Sequence, residues 1–228
     1  MNQTNLLATV VEWMPFVLQG FLLNILMSVL AIMIGTVVGT FLGFGQISPS
    51  AVVGVPSKLA TQLFRNAPWL VLLFYCIFLM PYQITVWGAT IQLPSWLRAT
   101  VGFSFPVAAN FSEIVRGSVN SIPGGQWEAA EALGYNRRTT LFKIILPQCF
   151  SRMLPPWMNL YALLLTATPL SMIVGVEEAL GRTQAAVQAQ GDSSTLIPMY
   201  LALLIMFFLY TWPINRLSLV LERRFRTK

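Results

Sequence analysis

The sequence contains no histidine and few charged side chains. Its 228 residues include 14 Lys and Arg and 8 Asp and Glu, which together make 10% of the chain, against about 25% in an ordinary soluble domain. Apolar and aromatic residues make up 56%. So few charges could not cover the surface of a water-soluble fold of this length. The chain is therefore predicted to be an integral membrane protein, not a soluble enzyme.

Groups that catalyse reactions or bind metals are also scarce. The absence of histidine excludes His-based catalysis, His proton relays and His metal ligands. Cys76 and Cys149 are far apart and form no C-x-x-C pair, and the only aspartate is Asp192. The sequence has no G-x-x-x-x-G-K-[ST] loop for binding phosphates. We predict no catalytic, cofactor-binding or metal-binding residues, and no enzyme activity in this chain.

Long uncharged stretches predict an all-α membrane protein with five transmembrane helices. A helix needs roughly 20 apolar residues to cross a bilayer. The stretches accommodate five such helices, at about 18–44, 61–80, 96–118, 150–175 and 196–218. The third span differs from the others because it contains Glu113 and Arg116.

The basic residues predict the orientation, because cytoplasmic loops of membrane proteins are enriched in Lys and Arg. With the N-terminus outside and the C-terminus in the cytoplasm, only Arg98 and Arg182 lie outside. The remaining twelve lie inside: Lys58, Arg65, Arg116, Arg137, Arg138, Lys143, Arg152, Arg216, Arg223, Arg224, Arg226 and Lys228. The net charge of +6 is thus explained by topology, and no nucleic-acid partner is expected.

An odd number of spans restricts the assembly. Inverted repeats of three plus three helices cannot be built from five. A pathway with a symmetric wall then most simply needs a second copy of the chain or a paralogue. Since no linker or low-complexity tract interrupts the sequence, residues 1–228 are predicted to form a single transmembrane domain.

The longest predicted cytoplasmic stretch, about 121–147, has the pattern of a helix–turn–helix. Residues 126–133 are strong helix formers. Gly134 stands where a left-handed C-terminal cap belongs. Asn136 can cap a second short helix over 137–145. Small residues on the first arm would let another protein's backbone approach closely.

This stretch resembles the EAA loop of the permease subunits of ABC importers. The spacing of seven residues carries the resemblance: Glu128, Ala129, Ala130, Gly134, Ile144, Leu146 and Pro147. Chance coincidence of seven fixed positions, at background usages of about 5–10% each, is roughly one in ten million or less. Further segments are similar to the polar amino acid permeases: Phe64–Pro68, Ser112–Gly117, Gly125–Glu128 and Leu154–Pro156.

The resemblance implies a membrane-spanning subunit of the bacterial cytoplasmic (inner) membrane, with the type I fold, that imports a polar amino acid or a related small solute. Its implied partners are a second permease copy or paralogue, two cytoplasmic ATPase subunits that use ATP-Mg, and a periplasmic solute-binding protein. The seven EAA residues would dock the ATPase, and this chain would bind no cofactor. Where many relatives carry Lys-Asp-Thr-Ser in the fourth span, this chain has Thr166-Ala167-Thr168-Pro169.

Candidate residues of the solute pathway lie in the third and fourth spans. Pro169 cannot donate a backbone hydrogen bond to the carbonyl of Leu165, and Thr166, Thr168 and Ser171 surround this break. The break is either solute-facing or a plain kink whose carbonyls are satisfied by threonine hydroxyls. Glu113 and Arg116, three residues apart on one helical face, can pair with each other or contact solute.

An ion-coupled secondary carrier is the alternative function. A carrier would use several buried acidic residues or a histidine, and the predicted spans offer Glu113 alone. A membrane-embedded enzyme would need a catalytic constellation that the sequence lacks. A scaffold without transport activity is opposed only by the EAA loop.

Overall fold

The computed structural model describes residues 3–86 and 89–226, and most of them are helical. Along these residues the elements follow in the order α1 (Gln3–Gln46), α2 (Ala51–Asn66), α3 (Trp69–Leu79), β1 (Gln83–Val86), β2 (Ala89–Gln92), α4 (Ser95–Asn120), α5 (Gly124–Ala132), α6 (Arg137–Thr140), α7 (Leu146–Ala167), α8 (Ala179–Gln190) and α9 (Leu196–Arg226). A π-helical turn, Leu141–Ile145, joins α6 to α7, and 3₁₀ segments follow α7 (Thr168–Val174) and precede α9 (Ser193–Thr195).

Three helical runs are long and apolar enough to cross a membrane, namely Leu6–Gln46, Arg137–Val174 and Ser193–Phe225. They contain the predicted first, fourth and fifth spans. A fourth crossing is present if α2 and α3 count together as one bent span. α4 contains the predicted third span and has 26 residues, but polar side chains are spread along it. The described residues thus have three or four candidate spans.

The prediction of one continuous helix over 61–80 is wrong. α2 ends at Asn66, α3 begins at Trp69, and the helices are bent by 102° at the break. Pro68, between them, has an extended backbone with φ −60° and ψ 128°. Proline has no N–H to donate, and its ring pushes the preceding residue out of the helical region. The break therefore follows directly from the local sequence.

The all-α prediction is wrong for residues 83–92, which form a β-hairpin. β1 pairs with β2 in antiparallel register, with Ile84 opposite Ile91 and Thr85 opposite Thr90. Apolar and polar residues alternate in both strands, which favours a strand over a helix. A two-residue connection that contains Gly88 completes the pattern of a hairpin.

One of two compact units consists of Met1–Met33, Ala67–Ser104 and Leu163–Pro213. Its core joins α1, α8 and α9 through buried Val17, Phe21, Ala179, Ala186, Met199 and Leu203. Gly20 lets α8 approach α1 closely, because a Cβ atom there would lie 2.6 Å from the amide nitrogen of Ala179. The short α8, which the sequence analysis does not predict, is thus part of the packed core of this unit.

The other unit consists of Ile34–Asn66, Phe105–Ala162 and Ile214–Lys228. Within it, α1 packs on α4 through glycines spaced four residues apart. A Cβ atom on Gly39 would lie 2.5 Å from the carbonyl oxygen of Ala108, and one on Gly43 would lie 2.7 Å from Cβ of Val115. Helices in membranes often associate through such small residues, because little hydrophobic force acts between helices there.

A buried polar cluster joins three helices of the same unit. The side-chain amide of Gln46 on α1 donates to Thr61 on α2 and to Ser112 on α4, both at 3.0 Å. The two hydroxyls lie 2.9 Å apart. Since all three side chains are buried, each depends on the others for hydrogen bonds that water would otherwise supply.

The contact between α1 and α4 can be tested with two glycine substitutions. Gly39→Ala should lower the thermal unfolding midpoint in detergent by roughly 2 to 10 °C, because the new methyl group meets a backbone carbonyl that cannot move aside alone. Gly117→Ala on α4 is the matched control, since a Cβ atom there has no neighbour within 4 Å, and it should leave the midpoint unchanged or raise it. Equal midpoints for the two variants would contradict close packing at Gly39.

Candidate functional site

The turn of the EAA loop is closed by a glycine in the left-handed conformation, as the sequence predicts. Gly134 has φ +82°. Its N–H donates to the carbonyl of Glu131 at 2.9 Å, and the N–H of Tyr135 donates to the carbonyl of Ala130 at 3.0 Å. This pair of bonds is the Schellman arrangement that ends many helices. It determines the direction in which the chain leaves α5.

The second arm of the loop begins as predicted but does not end as predicted. The side chain of Asn136 accepts a hydrogen bond of 2.8 Å from the N–H of Thr139 and caps the arm. The helical run then continues through the π-helical turn into α7, so the second arm and the fourth span are one run from Arg137 to Val174. The prediction of a separate helix over 137–145 is therefore wrong. The wider turn precedes Pro147, whose ring would crowd a carbonyl in a regular α-turn.

The seven EAA residues differ in how far they are exposed. Glu128, Ala129, Gly134 and Pro147 are exposed, Ile144 and Leu146 are half-buried, and Ala130 is buried. The first arm therefore exposes a carboxylate and a small side chain. Its buried side instead packs within the chain.

An apolar cluster and a hydrogen-bonded arginine attach the EAA loop to the rest of its unit. Trp127 and Ile144 pack against a buried cluster made of Val119, Ile122, Ile145 and Cys149. Arg152 on α7 donates to the carbonyl and hydroxyl of Ser121 at 2.9 and 3.0 Å. Both arms are thereby fastened to the end of α4 and the start of α7, so a force applied to the loop would be passed to these two helices.

A cleft of about 850 Å³ beside the loop is lined by basic side chains. Its four charged lining residues are Lys58, Arg116, Arg137 and Arg138. Arg137 also lies over the ring of Trp127, with its guanidinium carbon 5.9 Å from the ring centroid. The positive charge that predicts the orientation of the chain is therefore concentrated at this loop.

Glu113 and Arg116 form the predicted pair. Nη2 of Arg116 lies 2.6 Å from Oε2 of Glu113. Arg65 on α2 approaches the same carboxylate at 3.5 Å. The carboxylate is therefore held between two cations, which links α4 to α2.

At the end of the fourth span, α7 gives way to a 3₁₀ segment at Thr168. The hydroxyl of Thr168 donates to the carbonyl of Leu165 at 2.7 Å, the carbonyl for which Pro169 has no N–H. Thr168 and Ser171 are buried, Pro169 is half-buried and Thr166 is exposed. The hydroxyl of Thr166 donates to the carbonyl of Leu163 at 2.9 Å. Two local hydroxyls thus satisfy backbone carbonyls in the last turns of α7, before the break.

Thr168 also belongs to a buried polar cluster that the sequence analysis missed. The side-chain amide of Asn24 on α1 donates to the hydroxyl of Thr168 and to the carboxylate of Glu178, both at 2.8 Å. The oxygen of the same amide accepts from the N–H of Ala179 at 3.0 Å. All three polar side chains are fully buried. One sequence signal could have predicted this cluster: Asn24 lies inside a long apolar stretch, where a buried side-chain amide needs a hydrogen-bond partner.

Glu178 caps α8 and lies between the fourth span and that helix, outside the membrane-spanning segments. Its carboxylate accepts hydrogen bonds from the N–H groups of Leu180 and Gly181, at 3.0 and 2.9 Å. Burial raises the pKa of this carboxyl above its ordinary value of 4.5, although these N–H groups and the amide of Asn24 act in the opposite direction. No local sequence pattern singles out this residue as buried.

No metal site accompanies these features. Within residues 3–86 and 89–226, no three side chains of His, Cys, Asp or Glu come together in a way that could hold an ion.

The fold is that of an ABC importer permease. A solved amino acid ABC transporter with histidines matches it with a TM-score of 0.81 and 20% identity, covering 94% of this chain and 96% of that one. The chain belongs to the family of binding-protein-dependent transport system inner membrane components, which matches residues 31–227. It is a multi-pass membrane protein and a transport subunit, and the ion-coupled carrier alternative is thereby set aside.

Two curated relatives are similar over nearly the whole chain. A probable amino-acid ABC transporter permease of Bacillus subtilis, YckA, is 32% identical over 93% of this chain and 88% of its own length. A probable glutamine ABC transporter permease of the same organism, GlnP, is 27% identical over 93% of this chain and 95% of its own length.

The buried carboxyl of Glu178 predicts a dependence of stability on pH. Because its pKa is raised by folding, protonation stabilises the folded chain below the unfolded value, and this contribution is lost as the pH rises through the folded value. The unfolding midpoint of the wild type in detergent should therefore fall relative to that of Glu178→Gln as the pH rises from 4.5 towards neutrality.

Glu177→Gln is the control, because Glu177 is the exposed neighbour of Glu178. Its midpoint should follow that of the wild type at every pH. Parallel curves for wild type and Glu178→Gln would show that the carboxyl does not titrate differently in the folded chain.

Proposed function

We propose that this permease forms half of a translocation pathway for a polar amino acid or a related small solute, and couples it to a cytoplasmic ATPase through the EAA loop. The observation that carries the proposal is the Gly134 turn, which presents Glu128 and Ala129 on an arm fastened to α4 and α7. The names of the relatives support the class of solute, since they are described as amino-acid and glutamine permeases. The bacterial cytoplasmic membrane is the proposed location.

The proposed topology has five spans, with the N-terminus outside and the EAA loop and C-terminus inside. The three long apolar runs, the bent α2–α3 pair and α4 supply the five crossings. Arg98 and Arg182 are the two basic residues that this topology places outside, and both form hydrogen bonds within the chain. Arg98 donates to the carbonyl of Ile77 at 2.6 Å, and Arg182 donates to the carbonyl of Phe16 and to Gln19, at 3.2 and 2.9 Å. Both outer arginines therefore have structural partners within the chain.

A second permease copy or paralogue, two ATPase subunits and a periplasmic solute-binding protein complete the proposed importer. When ATP binding closes the two ATPases on each other, the first arm would move with the groove that holds it. A Schellman turn and a helical run that continues into the fourth span transmit such motion, because neither contains a flexible connection. Glu128 supplies the charged anchor, and Ala129 allows close approach.

The solute pathway is proposed to pass the break at the end of the fourth span. Thr166 is the exposed hydroxyl at this position, whereas Thr168 and Ser171 support the break from within the unit. Glu113 and Arg116, which are paired with each other, would set the position of the third span within its own unit. Since no charged residue replaces the Lys-Asp of many relatives here, hydroxyl and backbone groups would contact the solute.

The orientation can be tested with single cysteines in a Cys76→Ala, Cys149→Ala background. A cysteine at Ser193 should react with a membrane-impermeant maleimide in intact cells. Cysteines at Ser50 and Gln126 should react only after the membrane is opened. All three positions are exposed, so protection must come from the membrane or a partner. Labelling of Ser50→Cys and Gln126→Cys in sealed cells would contradict the proposed topology.

Energy coupling can be tested with a series at Gly134. A β-branched residue in the left-handed conformation costs about 1 to 2 kcal/mol or more, whereas asparagine tolerates it. Gly134→Val should therefore abolish uptake and reduce the ATPase that co-purifies with the tagged permease, while Gly134→Asn should retain most of both. Glu128→Ala keeps the backbone and should lower transport-coupled ATP hydrolysis more than assembly.

The amount of permease in the membrane, measured for every variant, is the control for insertion. Wild-type uptake and a normal complement of ATPase in Gly134→Val would mean that the EAA loop is not the coupling element. The class of solute would be unaffected by that result.

A further inference from the structure

The β-hairpin between α3 and α4 has one apolar and one polar face. Ile84 and Ile91 face each other across the strands and are 42% and 56% exposed. Adjacent residues in a strand point to opposite faces, so Thr85 and Thr90 lie on the other side, with their hydroxyls 3.4 Å apart. Gln83 and Gln92 extend this polar face. About half of each isoleucine is therefore left uncovered by the residues that the structure describes.

The base of the hairpin is fastened in one orientation. The N–H of Leu93 donates to the carbonyl of Tyr82 at 2.7 Å. The buried guanidinium of Arg98 lies 4.3 Å from the centroid of the Tyr82 ring and donates to the carbonyl of Ile77 near the end of α3. A cation at this end of a helix is favourable, because the last carbonyls carry partial negative charge. The direction of the isoleucine face is therefore set by the packed end of α3.

The chain segment that carries this face is uncharged. Residues 66–97 contain no charged side chain. Phe78 and Leu79, at the end of α3, are 71% and 76% exposed, so exposed apolar side chains also precede the hairpin along the chain. Tyr82 stands at the base of the hairpin. Tyr and Trp are enriched where membrane meets water.

We propose that the hairpin lies in the headgroup region of the bilayer, with the Ile84–Ile91 face against lipid and the Thr85–Thr90 face towards water. A lipid surface fits better than a docked protein, because the face follows in sequence the apolar end of α3, which belongs to the bent candidate span, and carries no charge for an ion pair. The hairpin would hold the short α3 at a fixed depth in the bilayer. This would matter because the second predicted span, made of α2 and α3, is broken at Pro68. The inference does not depend on which side of the membrane the hairpin occupies.

Site-specific fluorescence quenching tests this arrangement on the full chain in nanodiscs. Single cysteines at Ile91 and Thr90, in the Cys76→Ala, Cys149→Ala background, are labelled with a small environment-sensitive fluorophore. Lipids with a nitroxide near the top of the acyl chain should quench the reporter at Ile91 at least about twofold more than the one at Thr90. Aqueous iodide should show the opposite order.

A second pair, Ile84→Cys and Gln92→Cys, repeats the comparison with one position on each face, in case a variant of the first pair fails to insert. Agreement of both pairs supports the proposal. Equal quenching on the two faces by either reagent would overturn it, as would stronger iodide quenching at Ile84 and Ile91. These outcomes leave the transport proposal intact, since they do not involve the EAA loop.

Discussion

The breaks in the helices depend on one constraint: in a bilayer, backbone groups released by a break must find partners within the protein. Two irregular positions in the candidate spans have such a partner. The carbonyl of Leu165, for which Pro169 has no N–H, accepts a hydrogen bond from the hydroxyl of Thr168. The carbonyl of Ile77 near the end of α3 accepts one from the guanidinium of Arg98. In the EAA loop, which is predicted to lie outside the bilayer, carbonyls near the end of α5 accept the N–H groups of Gly134 and Tyr135 in the same way. At these three positions a donor lies close to the irregular backbone.

The same need for hydrogen-bond partners explains two clusters of buried polar side chains, each within its own unit. Gln46, Thr61 and Ser112 satisfy one another in one unit, and Asn24, Thr168 and Glu178 do so in the other. A buried amide or carboxyl without a partner is costly, whereas a satisfied one specifies which helices meet. Asn24 thereby links α1 to the break in the fourth span and to the cap of α8. Glycines contribute to helix packing in a different way. Gly20 and Gly39 let the backbones of two helices approach closely where larger side chains would hold them apart.

How far the sequence predicts the structure depends on the range of the interactions. Gly134 and Asn136 were predicted correctly, because a left-handed cap and an N-cap are properties of a few consecutive residues. The bend at Pro68 and the hairpin at 83–92 were also encoded locally, but counting apolar residues for membrane spans hides both. The separate second arm over 137–145 was predicted wrongly, because a π-helical turn before Pro147 lets the helical run continue past this proline. The docking and pathway roles of the candidate residues remain predictions.

By itself the sequence determined the membrane environment, the number of long apolar stretches, the charge asymmetry and the turn of the EAA loop. These properties depend only on the amino-acid composition or on a few consecutive residues, so they can be read without knowing the fold. Only the tertiary structure decided the partners of Glu178, Arg98 and Arg182. The sequence predicts only that Arg98 and Arg182 are charges at the outer side. In the fold Glu178 and Arg98 are buried, and Arg182 donates hydrogen bonds to residues of α1. The partners of Glu178 and Arg182 lie up to 166 residues away along the chain. The physical reason is that a polar group's partner is chosen by packing, which no local pattern records.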